Sequence, residues 1–295
     1  MIPPLRVALS GGAILGVAHI GALEVLQERG HLKCVKEYLG ISAGAIIAFC
    51  LCIGYTLSEL RALITVFNFT KIQNLEPEIM FSFVESYGFD DGANIEKLFT
   101  VLLRAKGLSP EITFREFSEK FPNQPTLRIF ATEVSTRSLK EFSLKKTPDV
   151  RLKFAIRASV SIPIIFTPVE DLSGSYFVDG GIISNFPFHL LTDEERERAI
   201  GITFYRYTIQ EGPVKINNIF EYIQRVCSSA YYHQEERLYK KWSPQIIAIN
   251  TGQNFALNFE ATSEEKEALM EAGRASAEEF LRAPVPRVAR RYSLP

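Results

Sequence analysis

Within its first fifty residues the chain places two glycine turns, each between a short apolar run and a helical pattern. Leu5 to Leu9 reads as a buried strand stopped by Ser10-Gly11-Gly12. From Val17 to Arg29, Ile20, Leu23 and Leu26 recur at helical spacing, and Gly30 closes the helix. Val35 to Leu39 is a second short strand. Gly40-Ile41-Ser42-Ala43-Gly44 follows it, and then an apolar helix from Ala45 to about Ile53. Strand, glycine turn and helix, twice over, favour a parallel sheet with helices on its faces.

The same alternation continues with less regularity. Leu57 to Leu103 reads as mainly helical, interrupted at Pro77 and by a polar turn from Gly88 to Gly92. Strands are expected at Thr126–Val134, Glu141–Leu144, Tyr176–Val178, Ala199–Tyr207 and Gln245–Asn250, and a helix at Val150–Ser159. A last helix is expected at Ser263–Leu281, with Ser263 as its N-cap and Glu264, Glu265 and Glu267 in its first turn. The expected fold is α/β: a three-layer α/β/α arrangement around a mostly parallel central sheet. Residues 5–190 form its core and 191–282 a C-terminal α/β part packed on the same domain. The Arg- and Pro-bearing segment 283–295 reads as a disordered tail.

Bulk properties narrow the function classes. The chain has 295 residues, 46% apolar and 23% charged, with a formal net charge of −1. Nucleic acid as main partner needs a basic excess that is absent here. The four cysteines form no CxxC pair and histidine is scarce, so zinc-ligand spacing is missing and no metal or other cofactor is expected. The first residues lack a signal-peptide layout. The longest apolar stretch, Ile41 to Gly54, is short of the ~20 residues of a membrane-spanning helix. A cytoplasmic setting, or one peripheral to an intracellular membrane, is the expectation.

Three segments carry candidate chemistry. Gly40-Ile41-Ser42-Ala43-Gly44 is a G-x-S-x-G string in the strand-turn-helix setting of a nucleophile elbow, with glycines at 40 and 44 relieving crowding across a sharp turn. It would set the Ser42 hydroxyl at a helix N-terminus, where the dipole favours developing negative charge. The competing reading is an ordinary N-cap serine. Ser10-Gly11-Gly12-Ala13-Ile14-Leu15-Gly16 offers successive backbone N–H groups suited to an oxyanion. It matches neither a P-loop nor a dinucleotide fingerprint, since Val17 and Ala18 stand where Lys and Ser/Thr would follow Gly16. For the base, two arrangements are open. One is a Ser-His-Asp triad in which His189 follows Asp179. The other uses Asp179 alone, with Gly180 and Gly181 allowing close approach of the elbow; such a carboxylate needs a raised pKa.

Taken in order, these pieces resemble the patatin-like phospholipases. The likeness runs through Leu9-Ser10-Gly11-Gly12, Gly16-Val17-Ala18-His19-Ile20-Gly21-Ala22-Leu23, Gly40 to Gly44 and Ala131-Thr132-Glu133. It resumes at Arg157-Ala158-Ser159-Val160-Ser161-Ile162-Pro163, Phe166-Thr167-Pro168-Val169 and Asp179-Gly180-Gly181. It covers roughly residues 5–190, and Thr251 to Leu281 is similar to that family's C-terminal part. The resemblance implies a Ser42–Asp179 dyad without a catalytic histidine, an oxyanion hole at Gly11, Gly12 and Ala13, and hydrolysis of phospholipid or other lipid esters through an acyl-enzyme. Two departures stand out: Ala13 replaces a glycine and Leu15 a basic residue. Ala13 is strained if φ is positive there. Loss of the cation bears on phosphate-headgroup binding, and a catalytically weak lipid-binding member is the alternative these changes raise. Phe67, Phe69, Ile79, Met80, Phe81, Phe83 and Val84 form an aromatic-rich stretch that reads either as core or as a cap or membrane-touching face.

Overall fold

The computed structural model describes residues 3–74, 83–205, 216, 219–252 and 256–283. Ten strands occur among them: β1 Arg6–Leu9, β2 Glu37–Ile41, β3 Gly88–Asp90, β4 Thr126–Glu133, β5 Ser138–Ser143, β6 Ile164–Phe166, β7 Val169–Glu170, β8 Tyr176–Asp179, β9 Ala199–Tyr205 and β10 Ile246–Asn250. The α-helices are α1 Val17–Glu28, α2 Ala43–Cys52, α3 Leu57–Val66, α4 Phe83–Ser86, α5 Ala93–Ala105, α6 Phe114–Lys120, α7 Leu152–Ser159, α8 Asp193–Glu197, α9 Ile219–Trp242 and α10 Ser263–Arg282.

Eight strands make one sheet, ordered β10-β9-β1-β2-β4-β8-β7, with β5 also paired to β4. The run β10-β9-β1-β2-β4 is parallel throughout, and β5, β8 and β7 join antiparallel. The mostly parallel α/β sheet expected from the alternation is therefore present. Parallel strands covered on both faces need apolar residues on both. Val7, Ala8, Leu9, Leu39 and Ile41 are all buried, and they divide between two hydrophobic clusters on opposite faces of the sheet.

Register around β4 decides where the site falls. β5 covers Arg128 to Glu133 on one edge of β4. The other edge is shared: β2 pairs with Thr126 to Phe130, and β8 with Ala131 to Glu133. Because β8 is antiparallel, the C-terminal ends of β2 and β8 meet nearly head-on. Ile41 lies opposite Phe130, and Asp179 lies opposite Ala131. Residues 42 and 179, distant in sequence, are thereby brought to one point at the C-terminal end of the parallel strands.

The C-terminal helix is fastened to the first one by small residues. A Cβ on Gly21 would stand 1.8 Å from the Met270 carbonyl oxygen, and one on Gly273 2.0 Å from that of Ala18. α1 and α10 thus cross with their backbones in contact, and Leu269, Met270 and Ala277 are buried.

Local details differ from the sequence expectation. Gly88–Asp90 is not merely a turn: it forms a two-stranded parallel sheet with Ile164–Phe166. The N-cap of α10 is Thr262, not Ser263. Its hydroxyl accepts from Glu265 N at 3.2 Å while the Glu265 carboxylate accepts from Thr262 N at 2.8 Å, a reciprocal capping box. The partner strand of β4 begins earlier than expected, at Ser138. Residues 206–207, Pro77, the positions Ile79, Met80 and Phe81 of the aromatic-rich stretch, and the tail beyond Ala283 lie outside the described residues.

Candidate active site

Ser42 sits between β2 and α2 with φ 51° and ψ −123°. A non-glycine residue held there is strained and persists only where its surroundings over-determine it. The surroundings do so at close quarters. A Cβ on Gly40 would come within 2.5 Å of Ala45 backbone atoms, and one on Gly44 within 2.4 Å of the Leu9 carbonyl oxygen. Gly16 lets the end of the first glycine loop rest on Ala43, where a Cβ would meet the Ala43 side chain at 2.6 Å. The Ser42 N–H is donated to Ser159 Oγ at 2.9 Å, and Ser159 Oγ donates in turn to the Phe130 carbonyl at 2.7 Å. One buried hydroxyl at the end of α7 therefore ties the elbow to the central strand.

Asp179 ends β8, and the Ser42 side chain is near enough to its carboxylate to favour the charged form. Gly181 N donates to Asp179 Oδ1 at 2.7 Å. Its backbone is fixed as well: Asp179 N donates to the Ser161 carbonyl at 2.8 Å, and Thr132 Oγ1 donates to the Asp179 carbonyl at 3.0 Å. Gly180 permits the chain to pass the central strand, since a Cβ there would lie 2.6 Å from the Phe130 carbonyl oxygen. Burial raises the Asp179 pKa from 3.8 to about 6, against the opposing pull of the Ser42 side chain and the Gly181 N–H.

The first glycine loop faces this pair. The ideal Cβ of Gly11 falls 3.1 Å from Ser42 Cβ. Gly11 itself is not a free donor, contrary to its grouping with the oxyanion residues in the sequence. Its N–H goes to the Asn185 carbonyl at 2.9 Å, and Asn185 Nδ2 donates back to the Gly11 carbonyl at 3.1 Å. Gly12 and Ala13 have no acceptor for their N–H among the described residues. Ala13 adopts φ 46°, so the strain expected at this position is present. Leu15 is buried in the main hydrophobic cluster.

Neither nearby histidine serves Ser42. His19 is fully buried, donates from Nε2 to the Ser10 carbonyl at 2.9 Å, and lies against the Phe204 ring at 4.6 Å between centroids. Burial lowers its pKa to about 4, so it stays neutral at physiological pH. His189 directs Nδ1 to the Phe186 carbonyl at 2.9 Å, with Ser184 Oγ at 3.5 Å. Neither Ser42 nor Asp179 is among its partners, so the geometry does not assemble a Ser-His-Asp triad. Among the described residues no group of His, Cys, Asp or Glu could hold a metal ion.

Sequence reasoning singled out Ser42, Asp179 and the glycines, and the fold brings them together. It did not assign roles to Ser159, Ser161 or Asn185. The only local signal was the serine pair in Arg157-Ala158-Ser159-Val160-Ser161. Arg157 is buried beneath it, donating to Ser161 Oγ and, at 3.0 Å, to the Asp91 carbonyl.

Comparison with known proteins places the chain in a family. Residues 7–192 match the family model for patatin-like phospholipase, and the chain belongs to that family. The membership supports lipid hydrolysis as its activity. Over 292 residues the chain is 32% identical to uncharacterized protein YqhO of Bacillus subtilis strain 168, covering 92% of this chain and 96% of that one. It is 32% identical over 182 residues to probable lipid hydrolase 463L of Invertebrate iridescent virus 6, covering 62% and 61% respectively. The crystal structure of VipD from Legionella pneumophila shares the fold, with a TM-score of 0.60 at 18% identity over 95% of this chain and 67% of that one.

Proposed function

We propose that the protein hydrolyses lipid carboxylic esters through an acyl-enzyme on Ser42, with Asp179 as general base. The observation that carries this reading is the convergence of the strained Ser42 turn and the buried Asp179 carboxylate where β2 and β8 meet along β4, with the Asp179 pKa raised to about 6, suited to base catalysis near neutrality. Asp179 takes the hydroxyl proton as Ser42 Oγ bonds to the ester carbonyl carbon. The oxyanion so formed accepts hydrogen bonds from the Gly12 and Ala13 N–H groups, with the N-terminus of α2 adding favourable dipole. Collapse breaks the ester C–O bond, and the Asp179 proton passes to the departing alcohol. Water, deprotonated by the same carboxylate, then releases the fatty acid. No step needs a metal or cofactor.

The test is product analysis on a panel of phospholipid, lysophospholipid, neutral glycerolipid and short-chain ester, with a fluorophosphonate as active-site label. Wild type should release fatty acid and take up the label. Ser42→Ala should do neither, and Asp179→Asn should lose turnover by about 10²-fold or more. Undiminished turnover in Ser42→Ala would refute the assignment.

A further inference from the structure

β4 and β8 do not stop at the level of Ser42. β4 runs on past Phe130, and Val134 N donates to the Tyr176 carbonyl at 2.9 Å. At about 3.3 Å per strand residue, Val134 and Tyr176 stand about 13 Å beyond the end of β2. The wall culminates in two adjacent hairpin tips, residues 134–137 between β4 and β5 and residues 171–175 between β7 and β8. Both lie at the end of the sheet where Ser42 stands.

Two apolar side chains, Val134 and Leu172, stand exposed at this crest among the polar residues usual for hairpin ends. Leu172 is fully exposed at the second tip, and Val134 is 48% exposed at the first. The Leu172 turn is rigidly built: Asp171 Oδ1 accepts from Ser173 N at 2.8 Å and Ser175 N at 3.0 Å. The exposed Tyr87 ring stands edge-on to Tyr176, with centroids 6.4 Å apart. Tyr87 and the exposed Ile164 both hold positive φ, at 61° and 72°. For a β-branched residue that conformation is costly, and here no burial of the side chain offsets it.

We propose that this crest is the surface on which the protein docks to a lipid bilayer, with Leu172 entering the acyl region and Tyr87 and Tyr176 at headgroup level. The proposal rests on the lipid-ester reading of the site: a substrate held in a membrane must reach Ser42 from the strand ends, where the crest projects. Leucine suits the acyl boundary and tyrosine, apolar with a polar tip, suits the interface. Charge does not drive the contact. Arg137 and Lys140 are accompanied by Glu133, Glu170 and Asp171 on the same two hairpins. The surface should therefore bind zwitterionic membrane with little dependence on salt.

The experiment is co-sedimentation of the full chain with phosphatidylcholine vesicles at low and high salt, run beside hydrolysis of a water-soluble short-chain ester. Wild type should bind at both salt concentrations. Leu172→Glu, alone and with Val134→Glu, should reduce binding at least tenfold while soluble-ester hydrolysis stays within about twofold. Leu172→Trp should retain binding and show a blue-shifted emission on adding vesicles, read against the single native Trp242. Absence of wild-type binding, or binding unchanged by the double substitution, would overturn the proposal. So would conversion of a self-associated species to monomer by Leu172→Glu with vesicle binding intact, which would make the crest a contact between copies. Failure of the catalytic reading looks different: no ester is cleaved in any assay, yet vesicle binding still depends on Leu172.

Discussion

Replacing Asp179 with asparagine should remove activity and stabilise the protein at the same time. In the folded chain the carboxyl is buried and its pKa is raised from 3.8 to about 6. A group whose folded pKa lies above its unfolded value favours the folded state most when protonated. That stability is fully present below pH 3.8 and is lost as pH rises through about 6. Converted at 1.36 kcal/mol per pH unit, the penalty for keeping Asp179 ionised at neutral pH is about 3 kcal/mol. Asparagine has the same shape, still accepts from Gly181 N, and carries no charge. Because its amide must also find partners in a buried site, the expected gain for Asp179→Asn is about 1–3 kcal/mol at pH 7.5, or several degrees in Tm at about 2–4 °C per kcal/mol. Urea unfolding of both proteins from pH 4 to pH 8 measures it. The difference should be largest above pH 7 and should disappear near pH 4, where wild type protonates itself. The same titration should give wild-type kcat/KM an acid limb near pH 6. A variant less stable than wild type at pH 7.5, or a stability difference that does not vary with pH, would refute the argument that desolvation dominates at this carboxylate.

Ser159→Ala should cost about 2–4 kcal/mol by leaving the buried Ser42 N–H without an acceptor and the Phe130 carbonyl without its hydroxyl donor. It should also slow fluorophosphonate labelling of Ser42 by about 10–100-fold, because a small misplacement of the nucleophile is enough; unfolding curves and labelling rates read the two effects separately. His189→Ala should keep ester hydrolysis within about twofold of wild type, since the imidazole partners are the Phe186 carbonyl and Ser184; loss of turnover in a folded variant would restore the triad. Ala13→Val should destabilise the protein by about 1–2 kcal/mol and lower turnover, because a β-branched side chain is forced to the left-handed φ of 46°. Ala13→Gly should stay within about 1 kcal/mol of wild type.

What could be read from the sequence was what depends on neighbours along the chain. The elbow, the glycine loop and Asp179 are each announced by residues within a few positions of themselves, because tight turns and close backbone approach need glycine locally. Ser159 and Asn185 act across the fold. Ser159 reaches Ser42 over 117 positions, and Asn185 reaches Gly11 over 174. The serine pair at 159 and 161 marks Ser159 without naming its partner, nothing near Asn185 announces one, and both contacts exist only in the folded arrangement. Gly88–Asp90 escaped because a three-residue strand is too short to show a period of two, and its partner lies more than seventy residues on. The cap of α10 went to Thr262 because adjacent Thr and Ser are both competent acceptors, and the reciprocal bond with Glu265 settles between them.

The altered glycine loop can be judged by what holds it. Its backbone is held at four residues: Ser10 by His19 and the Ile202 carbonyl, Gly11 by the Asn185 carbonyl and side-chain amide, Ile14 N by the Ala256 carbonyl at 3.0 Å, and Leu15 N by the Gly12 carbonyl at 3.0 Å. None of them is a charged side chain, so a basic residue at position 15 is not needed to hold the loop in place. Leu15 instead adds buried apolar surface to the main cluster. Gly12 cannot give way either, because a Cβ there would meet the Phe204 ring at 2.4 Å. Phe204 also rests on His19, so the ring that limits position 12 is in contact with the imidazole that holds position 10. The two N–H groups left over, at Gly12 and Ala13, thus belong to a segment whose neighbours on both sides are already committed, and that pre-set arrangement is what an oxyanion site requires. On the proposed mechanism, the leucine at position 15 leaves the Gly12 and Ala13 donors anchored, so the effect of the missing cation should fall on headgroup preference rather than on how an ester carbonyl would be held.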